Sequence, residues 1–363
     1  MTTEQPIPVL DDVARLQTVD KRNMLRLVNE LPEQCETALG IGRSFSIEPL
    51  ESVPNVVFIT GVGSSGVAAD MAVAAVSGEI SIPVVADHGG KLPAYVGEQS
   101  LVIIVDYAGK SEASLRSYKD ARQRGANVIC VASGGALLEA ASKDGIKAFK
   151  IPPGHPARSA IGYLFVPLVV VLEQFGLVTG LVDQLTYGIR LMKNIRETFR
   201  FDVSQTRNVA KQVALAVAGK AAVIYGASDY RAVVAERWRS QLNANSKSEA
   251  FTDIFPDVVD GAISGWELAE KQCANVAFVF FRDSQDRSEV PDLMDASREV
   301  LAGFSSVDVE LKGSTVIEKL LYGVYMGDYV SCYLALINEV DPGITENVNQ
   351  VQARIQQEEL PEE

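Results

Sequence analysis

The sequence predicts an α/β protein made of two successive parallel sheets, each flanked by helices as a three-layer sandwich of the flavodoxin-like or Rossmann-like kind. Three observations carry this reading. Short apolar runs alternate with helix-like segments through the first half of the chain, and the same alternation restarts at Ala221. The chain has 363 residues, 47% of them hydrophobic, which is material for two cores.

Residues 11–45 carry Val13, Leu16, Met24, Leu25, Val28 and Leu31 at helical spacing, with Pro32 as punctuation and an amphipathic stretch at 37–41 behind it. Residues 1–50 are therefore a helical arm. The runs 56–59, 82–86, 101–105 and 127–132 read as strands, separated by helices such as 111–124 and 137–143, so that 51–181 is the first sheet domain. Residues 182–218 hold no glycine or proline after Gly188 and read as one helix linking the halves. Strands return at 221–225, 275–281 and 306–311, ahead of an apolar helix at 316–337, which makes 219–363 a diverged copy of the first domain. The acidic tail after Asp341-Pro342-Gly343 reads as a packed helix fraying at the terminal LPEE.

Composition narrows the partners. A net charge of -14 and a pI near 4.8 speak against nucleic acid and anionic membranes. The four cysteines, Cys35, Cys130, Cys273 and Cys332, form no CxxC or Cys/His cluster, so reduced thiols in a cytoplasmic protein without a metal site are expected. The N-terminus has acids where an export signal needs a basic region, and the longest apolar segment, 164–172, contains Pro167 and stops at Glu173. No membrane span is expected.

The most informative motif is VVFITGVGSSG, ending at Gly66. A strand breaks into a glycine-serine turn and a helix follows, an arrangement that aims free N–H groups and the Ser64 and Ser65 hydroxyls at an anion. Gly61, Gly63 and Gly66 also match GxGxxG, with Asp87 about twenty residues on, as a dinucleotide fold requires. A tight strand-to-helix turn without a ligand is the plainer alternative. VDYAGKSEASL repeats the strand, polar turn and helix start, with Ser111 and Ser114 as helix caps or phosphate donors. Arg158, beside His155 in a proline-rich loop, offers a bidentate partner to phosphate or hydroxyl groups. In AERWRSQLNANSKSEAF the residues Asn243, Asn245, Ser246 and Lys247 gather hydrogen-bonding groups at a helix end, suited to capping or to sugar hydroxyls.

These segments, with FPDVVDGAISGW and LLYGVYMGDYVSCYLALINEVDP, resemble the double sugar-isomerase (SIS) domain proteins of the bifunctional phosphoglucose/phosphomannose isomerase type over the whole chain. The resemblance implies a homodimer with shared sites and no cofactor. It also implies sugar-phosphate binding by the glycine-serine loop and a second hydroxyl turn, a glutamate moving the C1/C2 proton through an enediol, and a histidine from the neighbouring subunit opening the ring. The family's NENAK glutamate falls on Ala244 and its histidine on Asp260, or on Asp257 if the alignment slips; neither of the chain's two histidines, His88 and His155, lies nearby in sequence. In the SxSxxT turn stand Asp106, Ala108 and Ser111, and the family's late lysine falls on Gln352. Gly63, Ser64, Ser65, Ser111, Arg158, Asn243, Asn245 and Lys247 remain as ligand-binding candidates.

An alanine cannot abstract a proton from carbon. The leading expectation is thus a sugar-binding protein, for a sugar or its phosphate, with isomerase chemistry lost or strongly altered. Two other readings stay open: an active aldose-ketose isomerase using Asp260 or Glu249 as a substitute acid, and a dinucleotide-dependent enzyme.

Overall fold

The computed structural model describes residues 8–268 and 275–358, so Cys273 and the terminal LPEE lie outside the described residues. The first half builds β1 (Val56–Thr60), β2 (Val84–Asp87), β3 (Ser100–Val105), β4 (Asn127–Ala132) and β5 (Ala148–Lys150). All their pairings are parallel, in the order β2-β1-β3-β4-β5. β1 and β3 are buried along their whole length, as uninterrupted apolar runs must be when helices cover both faces.

The second half builds β6 (Ala221–Ala227), β7 (Ala250–Phe255), β8 (Val276–Arg282) and β9 (Ser305–Glu310), also parallel, in the order β7-β6-β8-β9. Counted within its own half, this order repeats that of the first four strands of the first sheet. The two sheets turn one face each toward a common core, where Val57, Ile59, Leu101 and Ile103 join Ile224, Ala277 and Val279 through the intervening helices. The outer faces pack separately, Phe58, Val102 and Ile104 in one cluster and Val223, Phe278 and Phe280 in another.

The helix Val316–Ile337 is long and apolar enough to cross a membrane, but 94% of its most apolar window is buried in the protein. It is the core helix that both halves share. A capping box between Thr315 and Glu318 starts it. Gly327 lets the Trp238 indole lie against it, since a Cβ there would stand 2.3 Å from the ring, and Trp238 Nε1 donates to Gly323 O at 2.8 Å. The N-terminal arm docks on the same helix: Tyr329 Oη donates to Asn29 Oδ1 at 2.8 Å. Pro32 sits in the first turn of Leu31–Ser44, where a missing N–H costs nothing.

Two expectations are corrected. Residues 182–218 are two helices, Leu181–Phe199 and Val209–Val217, rather than one. The buried Asn208 accepts from Lys211 N at 3.2 Å and donates to the carbonyls of Phe199 and Arg200. Lys211 Nζ meanwhile donates to Phe201 O, Val203 O and Asp11. Side chains that bind the backbone in this way replace the helical hydrogen bonds. The tail forms the helix Glu346–Glu358, but it is not packed: Val348, Val351 and Ile355 are each more than half exposed. They make a narrow apolar stripe in an otherwise polar segment.

Candidate functional site: a crevice at the carboxyl ends of β1 and β3

At the carboxyl end of β1 the chain turns at Gly63, whose φ of +59° suits a residue without a Cβ, and enters the helix Ser64–Val76 with no side-chain cap. Ser64 is half-buried and Ser65 buried. This helix packs into the common core, whereas Glu112–Gln123, which follows β3, packs on the outer face through Tyr118 and Ala121. Adjacent strands whose helices leave to opposite faces open a crevice at their carboxyl ends, the position where such sheets bind ligands.

Asp87, which ends β2, and Asp106, which follows β3, each have one carboxylate oxygen engaged. Asp87 Oδ2 accepts from Thr60 Oγ1 at 2.8 Å and from the amides of Gly89 and Gly90 at 2.9 Å, so it braces its own loop. Only its Oδ1 accepts no hydrogen bond from the described residues. Asp106 Oδ2 accepts from Ser111 N at 2.8 Å. The Ser111 hydroxyl, read as a helix cap, makes no cap bond; Ser114 is buried.

Arg158 and Asn245 join the halves. Arg158 Nε donates to Asn245 Oδ1 at 2.9 Å and its Nη2 donates to Pro342 O at 2.7 Å. Asn245 is fully buried and its Nδ2 donates to Ser331 Oγ at 2.9 Å. Lys247, at φ +55°, ends the helical segment and spends its ammonium protons on the carbonyls of Ala244, Asn245 and Asp341. Burial, with the Arg158 charge beside it, pulls its pKa below the ordinary lysine value.

The remaining candidates lie apart. Asn243 is exposed and lines a shallow groove of about 350 Å³ with Lys247, Glu249 and Phe251. Ala244 is half-buried in the π-helical turn Leu242–Ser246. Asp260 ends the short helix Asp257–Asp260; Asp257, Asp260 and Gln352 are all exposed. No hydrogen bond or ion pair among the described residues ties Asp260 to Arg158, Asn243 or Lys247. A cleft of about 800 Å³ is at the opposite, amino-terminal ends of β3 and β4 and is lined by Glu48, Glu51 and Glu98. It is not the crevice that the topology singles out.

Two residue sets were not anticipated. Arg237, Asp328 and Gln241 form a buried network in which Arg237 pairs with Asp328 through contacts of 3.0 and 2.8 Å and donates to Arg158 O at 2.6 Å. Asp328, a charge inside an otherwise apolar helical run, was the available signal. His88 Nε2 lies 3.0 Å from Asp70 Oδ2, and its ring fills the space beside Gly66. Burial raises the pKa of Asp70, partly offset by that histidine.

Two parallel-sheet halves sharing a core, with a glycine-serine turn at the carboxyl end of β1, define an α/β protein with the double SIS-domain architecture. Solved structures share the fold: the C-terminal domain of glucosamine-fructose-6-phosphate aminotransferase from Francisella tularensis has a TM-score of 0.66 at 15% identity, covering 89% of this chain and 98% of that one. A hypothetical protein from Thermus thermophilus has a TM-score of 0.70 at 16% identity, covering 96% and 94%. Residues 206–355 match the family model for the bacterial phospho-glucose isomerase C-terminal SIS domain. The chain is 32% identical to a bifunctional phosphoglucose/phosphomannose isomerase of Caldicellulosiruptor bescii over 88% of this chain and 95% of that protein. It is 27% identical to one of Thermoplasma acidophilum over 82% and 89%. The chain therefore belongs to the bifunctional phosphoglucose/phosphomannose isomerase family.

Proposed function

We propose that this family member binds a sugar or sugar phosphate in the crevice beside the glycine-serine loop and no longer isomerises it by the family's route. The observation that carries the reading is Ala244: the position the resemblance gives to the proton-shuttling glutamate holds a methyl group, and enediol chemistry needs a base within hydrogen-bond reach of the carbon-bound proton. Gly63, Ser64, Ser65, Ser111, Arg158, Asn243, Asn245 and Lys247 are the proposed ligand-binding residues. Residues 51–181 and 219–363 are the proposed domains, with a homodimer in the cytoplasm as the working assembly. A second reading keeps activity through a substitute acid. It draws support from Glu249, which shares a groove with Asn243 and Lys247; Asp260 is its other candidate.

The test is an NMR time course of fructose, fructose 6-phosphate and mannose 6-phosphate with concentrated protein in D2O. Broadened sugar lines without isomer or deuterium at C2 are expected, and Arg158→Ala should restore sharp lines. Isomer formation with deuterium at C2 would overturn the loss of chemistry; abolition of that turnover by Asp260→Asn or Glu249→Gln would identify the substitute.

A further inference from the structure

The turn from Asp106 to Ser111 links the carboxyl end of β3 to the helix Glu112–Gln123, beside the glycine-serine loop that follows β1. The helices Ser64–Val76 and Glu112–Gln123 start beyond the adjacent strands β1 and β3, and the loops touch: a Cβ on Gly61 would stand 2.8 Å from Val105 O, and one on Gly89 would stand 2.6 Å from Val62 Cγ2 and 3.3 Å from Ala113 Cβ. Such a place ordinarily attracts an external anion. Here the chain brings its own, because Asp106 Oδ2 accepts the Ser111 N–H at 2.8 Å.

The turn is pinned in that state. Asp106 N donates to Val131 O at 3.0 Å, Gly109 N to Asp106 O at 3.0 Å, Leu137 N to Gly109 O at 2.9 Å, and Ser133 donates both N and Oγ to Tyr107 O. Gly109 sits at φ +66° with Gly134 O where a Cβ would be, 1.9 Å away. The backbone that carries the carboxylate is therefore held on both sides of Asp106. Asp106 Oδ1 takes no hydrogen bond from the described residues, and Lys110 in the same turn forms no ion pair with it among them.

We propose that Asp106 sets the ligand specificity of the crevice, replacing the anion of a phosphate ester and selecting a sugar end that donates hydrogen bonds, a free hydroxyl or an ammonium group. This rests on the sugar-binding reading above. An ionised carboxylate only accepts hydrogen bonds, so a hydroxyl or ammonium satisfies it. A phosphate dianion at the same place meets a like charge and loses an amide that is already taken.

Calorimetric titrations of the wild-type chain, Asp106→Asn and Asp106→Ser with glucose, glucosamine and glucose 6-phosphate at one ionic strength test the proposal. Asp106→Asn keeps an acceptor for Ser111 N–H while replacing the charged carboxylate with a neutral amide, so it separates specificity from folding. The wild type should bind glucose or glucosamine at least tenfold more tightly than glucose 6-phosphate. Both variants should bind the ester at least tenfold better than the wild type does. A tenfold preference of the wild type for glucosamine over glucose identifies the ammonium; equal affinity identifies the hydroxyl. Wild-type binding of the ester as tight as that of glucose, or no gain in either variant, would overturn the proposal while leaving a sugar site in place. Wild-type binding that survives Arg158→Ala would instead overturn the crevice reading itself.

Discussion

Arg158 and Asn245 meet across the two halves of the chain at 2.9 Å, and Asn245 passes the contact on to Ser331 of the shared core helix. The guanidinium is thus held by a neutral carboxamide and a backbone carbonyl, and no acid among the described residues forms an ion pair with it. Asn245→Ala should cost about 1–3 kcal/mol of stability, because buried hydrogen-bonding groups lose their partner. It should also weaken sugar binding at least tenfold. Urea unfolding and calorimetry on the same preparation check both; binding unchanged in a folded variant would place Arg158 outside the ligand's reach.

Arg237 and Asp328 lie beneath that contact as a buried ion pair, each almost fully covered. Removing one partner strands the other charge. Asp328→Leu or Arg237→Met alone should therefore cost about 3–5 kcal/mol, and the two together less than the sum of the singles. A double-mutant cycle in urea measures the difference; strict additivity would mean that the two charges do not depend on each other.

The fold was legible where physics made the signal local. β1, β3 and β8 are buried strands and write themselves as apolar runs. β5 is too short to show a pattern, and β7 is an edge strand with Thr252 and Asp253 in its middle and Phe251 in solvent, so neither was read in advance. The break after Phe199 depends on Asn208 and Lys211 finding carbonyls that sequence spacing does not reveal. In the site, the glycine-serine loop and Arg158 were visible as residue types. The Asp106 bond to Ser111 and the buried Arg237–Asp328 pair depend on which side chains the fold brings together.

Asn208 caps Val209–Val217 and holds the end of Leu181–Phe199 with one side chain. Loss of such a cap costs about 1–2 kcal/mol, and the two carbonyls it serves add to that. Asn208→Ala should lower the urea midpoint accordingly, while Asn208→Asp, which keeps the cap but not the amide donors, should recover only part. Full recovery by aspartate would show that the carbonyl contacts contribute nothing.

Burial pushes the Cys130 thiol up to about 12 and raises Cys35 and Cys332 as well. Since the thiolate is the nucleophile, these three should resist a disulfide reagent at pH 8 in the native protein and react after unfolding. Peptide mapping of the modified sites distinguishes them; rapid native labelling at any of the three would mean that the core opens locally.

Asp283 and Asp286 give the acid limit. Burial alone would raise both. For Asp283, Lys319, the Gln285 amide and Tyr230 outweigh it, and for Asp286, Ser288 and Arg231 do, so both carboxyls lie below the usual aspartate value. A folded pKa below the unfolded one, about 3.9, means that the stabilisation is present above that pH and is lost as pH falls through the folded value. The urea midpoint should therefore fall steadily on acidification below about pH 4. Asp283→Asn should start lower at neutral pH, having lost the 2.7 Å contact with Lys319, and decline less steeply with acid. Parallel curves for the two proteins would assign the acid sensitivity to other carboxylates.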